Sequence, residues 1–437
     1  METCHERFVE QKGPKGGFMS DPRLWDWETK EKRIDVDGWK SRFEWVEECQ
    51  ASPDGERVAA VANIGEGEFT VCVNGEDWET PFEKIWNLRF TPDNRLAAIV
   101  SDAGEWTVAV DGTPWENRFG YVWDMLWNPK GDAVSVCFQQ DMTYGMAVED
   151  KPWEETFQHI TDPAISEDGA HTAGTVQVIA ASETDIDLFK KGIMSAALDG
   201  KVWDRNFVNV WGKRISPDGK RLAAEVRLSL YDYTIAVDGL PWEKTFQTVW
   251  EPCFHPTDGS IVAPVRTGGK WTLAKDGEIF WTGRYGQLWH VCFSPDGRKL
   301  AAIVSPKFGK WTVAVDDAAW STRVDELVTD ICFSPDGNHI GAVAKNGGKW
   351  FVLVDNHLWS KPCDMVWQPV FNADATCVAA KVEIEKQYGF LINDKLLPFR
   401  GEAAWNPEFN PAGTQILLRS IEQGVYVRRV LPIGDVL

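Results

Sequence analysis

The stretch FSPDGRKLAAIVSPKFGKWTVAVD, residues 293–316, decides the fold. Pro295-Asp296-Gly297 is a tight turn: Pro presets φ, Asp bonds back to its own backbone, and Gly takes positive φ without strain. LAAIV (300–304) and TVAVD (312–316) are short β-type runs, and an acidic turn closes the second. Apolar runs bounded by such turns read as antiparallel strands joined by hairpins.

The cadence repeats through the chain. Pro-Asp-Gly recurs at 53–55, 217–219, 295–297 and 335–337, with weaker copies such as Pro92-Asp93-Asn94, Pro129-Lys130-Gly131 and Pro411-Ala412-Gly413. The Pro-equivalent positions 53, 92, 129, 167, 217, 256, 295, 335, 373 and 411 step by 39, 37, 38, 50, 39, 39, 40, 38 and 38. A second anchor runs in phase: Asn74-Gly75, Asp111-Gly112, Asp199-Gly200, Asp238-Gly239 and Asp276-Gly277. Its degenerate forms are Glu149-Asp150, Asp316-Asp317, Asp355-Asn356 and Asn393-Asp394. Each unit is then a four-stranded sheet: strand a ends at the SPDG turn, b is the LAA run, c the TVAVD run, and d follows through the next Trp.

About ten four-stranded units of this length predict an all-β fold, a β-propeller. Usual rings hold ~4–8 blades, which favours two smaller rings divided near residue 200. The unbroken period favours one continuous array. Residues 1–32 read as a polar extension before the repeat region 33–437. Short strands at 33–37 and 43–48 are expected to complete a closing blade with 405–410, 414–420 and 424–430. The long step marks a charged, loop-like insertion near 182–192.

Tryptophan is abundant, 24 residues against 7 Tyr and 22 Phe, and it sorts by phase. One column lies six residues before the Pro position: Trp86, Trp123, Trp211, Trp250, Trp289, Trp367 and Trp405. A second follows the acidic anchor by four: Trp78, Trp115, Trp153, Trp203, Trp242, Trp320 and Trp359. A third opens strand c: Trp106, Trp271, Trp311 and Trp350. Regular phase predicts packing between blades, where each ring buries ~150–250 Å² and contributes at most about 4–6 kcal/mol. The competing role is an aromatic surface for sugars, bases or organic cations.

The formal charge is −21, from 45 Lys+Arg and 66 Asp+Glu. Such a chain does not gather nucleic acid or an anionic membrane through its overall field. No apolar run is long enough to span a bilayer. The start lacks the apolar core of a secretory signal, and nine dispersed cysteines without CxxC fit a reducing compartment. Neither HExxH, GxSxG, a P-loop nor a dinucleotide fingerprint is present, so no catalytic, cofactor-binding or metal residue is singled out and a non-enzyme is expected. Cys253, Cys292 and Cys332 share one strand phase and read as small core residues. His255 and His290 stand at repeat positions and read as core or turn residues. Connectivity gathers the Asp of the a–b and c–d turns on one face and leaves Lys270, Lys310 and Lys349 as a basic stripe on the other. Candidate partner contacts are Trp25, Trp27, Asp185, Asp187, Phe189 and those three lysines.

The FSPDG…LAA…VDG cadence resembles the TolB-type and WD-repeat-like propellers over roughly residues 33–430. The VDGxPWExxFxxVW blocks, at 110–123 and 237–250, with the Trp load and the acidic charge, further resemble the TmcD family. These are tryptophan-rich subunits of the transmembrane electron-transfer (Tmc) complex of sulfate-reducing bacteria. That resemblance implies a cofactor-free scaffold beside a membrane cytochrome b, an iron–sulfur subunit and a multihaem cytochrome c. It implies a cytoplasmic position, peripheral to the inner membrane. The other function class is a small-ligand- or carbohydrate-binding propeller, or a hydrolase using the central channel. An electron-hopping chain of Trp is disfavoured because Trp oxidation needs a potential far above that of low-potential cytochromes.

Overall fold

The computed structural model describes residues 21–180 and 185–437. Among them, strands join only to sequence neighbours, giving ten antiparallel sheets with one long-range exception. Blade 2 is typical: a, Lys84–Phe90; b, Leu96–Asp102; c, Glu105–Val110; d, Thr113–Pro114. Strand b is largely apolar and buried in every blade, as a central strand packed between neighbours must be, with Glu225, Lys381 and Arg419 as charged exceptions. In blade 2 strand d is two residues long, and Phe119 then bridges back to Trp106 at the start of c.

The exception closes the ring. The strand Glu31–Asp35 pairs antiparallel with Val425–Pro432, register Glu31↔Arg429 to Asp35↔Val425, so the first strand among the described residues is the outermost strand of blade 10. Blade 10 is latched to blade 1: Tyr426 Oη donates to Gly55 O at 2.9 Å, Arg419 Nη1 to Ser52 O at 2.6 Å and Arg428 Nε to Asp54 O at 3.1 Å. Ten apolar clusters fill the gaps, one at each junction between successive blades. Ala173, Phe207 and Ala224 join blades 4 and 5, and Tyr426, Val58 and Ala60 join blades 10 and 1. The array is therefore one ten-bladed propeller. No break falls near residue 200, because an edge there would expose the apolar faces that this junction buries.

Two expected segments differ. The closing strand is Glu31–Asp35, and the 43–48 stretch does not join it: Trp45–Val46 is the first strand of blade 1. A short 3-10 helix, Asp37–Ser41, with buried Trp39, turns the chain from one blade to the other. In the insertion, the part expected to be a loop contains a short helix, Ile186–Lys191, capped by Asp185 and ended by Gly192; residues 182–184 lie outside the described set.

The two turn anchors do structural work. In the a–b turns, Ser52, Ser166, Ser216, Ser294 and Ser334 each donate their hydroxyl to the Asp two residues on. In the c–d turns, Asp111, Asp238, Asp276, Asp316 and Asp355 sit at φ 45–50° and accept the first N–H of strand b. The following Gly is fixed by the preceding blade. A Cβ on Gly112 would stand 3.1 Å from the indole of Trp78, and one on Gly239 3.1 Å from Cβ of Trp203. Degenerate anchors replace that contact by hydrogen bonds. Asp150 accepts from the N–H groups of Glu116 and Asn117, Asp317 from Thr282 and Gly283, and Asp394 from Ser360. The acidic face is thus largely turn chemistry, neutralised in part by Arg57–Asp111, Arg95–Glu149 and Arg221–Asp238.

Candidate functional site

The residues marked as partner contacts do not converge. Trp25 and Trp27 stack on each other, centroids 5.9 Å apart, and are half-buried. Their segment is tied to blade 10, where Gln415 Nε2 donates to Trp27 O and Arg428 to Thr29 O. Asp185, Asp187 and Phe189 project from the short helix of blade 4, Phe189 being 43% exposed. Lys270, Lys310 and Lys349 do stand at successive b–c turns, but Lys310 pairs with Asp325 and Lys349 with Asp364. The stripe is therefore largely neutralised, because the residue after the d-strand bridge is an acid in two of the three units and Gly286 in the third.

The more informative surface lies on the a strands. First strands of neighbouring blades meet where blades converge, as 160–165 meets 209–215 and 287–293 meets 327–333, so they form the inner edge of the ring. Every a strand is interrupted just past the first Trp column. In six blades the register shifts there, and Asn87, Asp124, Asp162, Gly212, His290 and Asp330 take φ of 48–58°. In the other four the strand splits in two.

This interruption separates the tryptophan columns. Trp115, Trp153, Trp203 and Trp359 of the second column are 6–9% exposed, and Trp106 and Trp271 of the third 7% and 4%, while Trp78, Trp242, Trp320, Trp311 and Trp350 are half-buried. The first column is the wettest, although Trp123, Trp289 and Trp405 still pack against inter-blade clusters. Trp86 and Trp250 are 46% and 44% exposed, and Trp123, Trp211, Trp289, Trp367 and Trp405 are half-buried. The expectation of burial fails for Trp86 and Trp250 because an edge strand at a bulge has a neighbour on one side only. These rings rest on the aromatic that opens strand c: Trp250 on Trp271 at 5.6 Å, Trp289 on Trp311 at 4.5 Å, Trp86 on Trp106 at 4.6 Å. In blades 2 to 4 they join into one chain, Trp86, Trp106, Tyr121, Trp123, Tyr144 and His159, each 4.6–6.1 Å from the next. An open pocket of about 530 Å³ is lined by Tyr121, Trp123, Gln139 and Tyr144.

Beside it, blades 4 to 6 carry charges at positions that are apolar in most blades. Lys213 is fully buried and its Nζ donates to Asp162 Oδ2 and Thr175 Oγ1, both at 2.7 Å. Burial holds its ammonium below the usual lysine range, against the pull of Asp162. Glu225 stands under the Gly212 bulge, and burial, reinforced by the Asp162 charge, pushes its carboxyl up to about 8. Arg214 pairs with Glu251. The sequence signal was available: Glu225 occupies the place of Ile99, Ile303 and Val343 in the LAA run. Among the described residues, no three or more His, Cys, Asp or Glu are grouped to hold a metal ion, and no helix is long and apolar enough to cross a membrane. His255 packs on Phe293 and bonds Gly297 O, a turn role.

No protein-family model and no curated protein matches the chain. Among solved structures, it is similar to the β-propeller domain of Cps50 (Swd1) of Myceliophteria thermophila, at 13% identity and a TM-score of 0.30, over 62% of this chain and 95% of that one.

Proposed function

We propose that this chain is a non-catalytic docking propeller, the scaffold component of a membrane-associated electron-transfer complex in sulfate respiration. It would hold no cofactor of its own and would sit on the cytoplasmic side of the inner membrane. Its partners would be a membrane cytochrome b, an iron–sulfur subunit and a multihaem cytochrome c. The docking half of this reading is carried by one observation, the column of half-exposed tryptophans on the inner strands. Large aromatic rings backed by a rigid sheet and left partly in water are the groups that dominate protein interfaces. Support for the complex comes from the VDGxPWExxFxxVW blocks alone.

The test is affinity purification of the tagged chain from detergent-solubilised cells, read by haem absorbance and mass spectrometry. Co-elution of cytochrome b and iron–sulfur subunits is expected, and it should weaken when Trp86 and Trp250 are both changed to Ala. A lone, colourless protein under gentle conditions overturns the assignment. The aromatic pocket of blade 3 then favours the second reading, a propeller that binds a small ligand.

A further inference from the structure

Most blades carry one row of three side chains across strands a, b and c, on one face near the b–c turn. In blade 2 the row is Lys84–Ser101–Trp106, in blade 5 Asn209–Arg227–Tyr233 and in blade 8 Leu327–Lys345–Trp350. A basic residue stands in the row in these three blades and in blade 6, as Arg266 beside Trp271, and in blades 2, 5 and 8 its charged end lies over the strand c ring at nearly one distance. Lys84 Nζ is 5.5 Å from Trp106, Arg227 Cζ 5.6 Å from Tyr233 and Lys345 Nζ 5.4 Å from Trp350. The fold thus uses this place repeatedly to set a cation on an aromatic face, an attraction between the charge and the ring quadrupole.

In blade 3 the same row reads Tyr121–Gln139–Tyr144, by register Tyr121↔Gln139 and Gln139↔Tyr144. The row holds two rings and no cation, as does Trp45–Asn63–Phe69 in blade 1, and in blade 3 a third ring stands beside it. Trp123 lies two residues along strand a, nearly parallel to Tyr121 at 5.9 Å, and Tyr144 stands edge-on to Trp123 at 6.0 Å. Gln139 offers a neutral amide where blades 5 and 8 place Arg227 and Lys345. The four residues line the open pocket of about 530 Å³, a size in the range of small-ligand sites. Lys84 lies beyond Trp106, whose ring is 5.4 Å from Tyr121, and His159 flanks the far side of Tyr144. The net charge of −21 raises the local concentration of cations around the whole molecule.

We propose that the blade 3 box, formed by Tyr121, Trp123, Tyr144 and Gln139, binds an organic cation, an alkylammonium head supplied from outside the chain. The head takes the place that lysine or arginine takes in blades 2, 5 and 8. Two sources share this chemistry, a free quaternary ammonium compound and a lysyl side chain of a bound protein. The box keeps this property whether or not the propeller serves as a docking subunit.

The experiment uses the full chain, with tetramethylammonium chloride and Nα-acetyl-lysine methylamide as probes. Saturation transfer from protein to probe methyl protons is followed by NMR at constant ionic strength. Saturable binding with a Kd on the order of 1–10 mM is expected for a few exposed rings acting on one charge. Gln139→Lys supplies the missing internal cation and should weaken binding at least ~10-fold, with melting unchanged within a few degrees. Trp123→Leu removes one ring and should weaken binding similarly, which keeps the test valid if the lysine variant does not fold. Stronger binding of the lysine derivative assigns the source to a protein partner, and stronger binding of tetramethylammonium assigns it to a free compound. The proposal is overturned if neither probe saturates, or if a folded Gln139→Lys protein binds as the parent does.

Discussion

Trp203 and Trp250 carry the same side chain at opposite radial edges of the ring, and their surroundings differ completely. At the outer rim, Trp203 is 9% exposed because the c–d turn of the next blade folds over it, with Gly239 against its Cβ. At the inner edge, Trp250 stacks on Trp271 yet stays 44% exposed, because strand a ends the sheet and its course is broken at Glu251. Periodic placement therefore fixes that all members of a column share a kind of place. It does not fix whether the place is dry.

The rim should be the costlier side to disturb. Trp203→Ala is expected to lower stability by about 3–5 kcal/mol, the range for truncating a buried aromatic, read from the urea midpoint. An equal loss for Trp250→Ala would abolish the contrast between rim and inner edge.

The charge cluster sharpens the comparison through pH. Glu225 has a folded pKa of about 8 and an unfolded one near ~4.3. Its protonated form is favoured by folding, so its contribution is fully present below about pH 4.3 and is lost as pH rises toward 8. Glu225→Gln cannot ionise. It should match the parent at pH 4 and exceed it at pH 9 by on the order of 3 kcal/mol, measured by denaturant titration at both values. Equal stability at pH 9 would mean that the carboxylate is solvated there.

Gly239→Ala tests the rim from the other side. Its φ is +81°, and its new Cβ would meet Trp203 at 3.1 Å, so a loss of about 1–3 kcal/mol is expected in the same assay. Trp250→Ala should cost only about 1–2 kcal/mol, since roughly half of the ring is already in water. The smallest effect belongs to the turns. Hydrogen bonds from Ser334 and the Asn338 amide hold the Asp336 carboxyl down to about 2, below the unfolded value of ~3.9. Its contribution is present above about pH 4 and lost between about pH 4 and 2, so Asp336→Asn should flatten the acid limb of a melting curve run from pH 5 to 2.

Much of this was legible before folding. The turn columns named the hairpins, and the period counted the blades. Ring closure was only half legible: a leftover strand at each end predicts a shared blade, but the choice of 31–35 over 43–48 depends on where Arg428, Arg429 and Tyr426 find partners. The candidate contacts chosen for stickiness or charge, Trp25, Phe189 and Lys310, stood out as residues and proved to be scattered. The pocket of blade 3 was missed because none of its residues is unusual alone. Its signal was comparative: Gln139 stands where blades 5, 6 and 8 hold Arg227, Arg266 and Lys345.

By itself, the sequence determined the local conformations and their number. Pro, Asp, Asn and Gly at fixed spacing set φ and backbone bonding within a few residues, and alternating apolar runs leave strands no other way to bury their faces. Tertiary structure alone decided that ten units close one ring, which tryptophans stay wet, and that Tyr121, Gln139 and Tyr144 lie side by side. Those outcomes depend on which surfaces meet across blades and at the ends of sheets, a property of the assembled ring that no single repeat encodes.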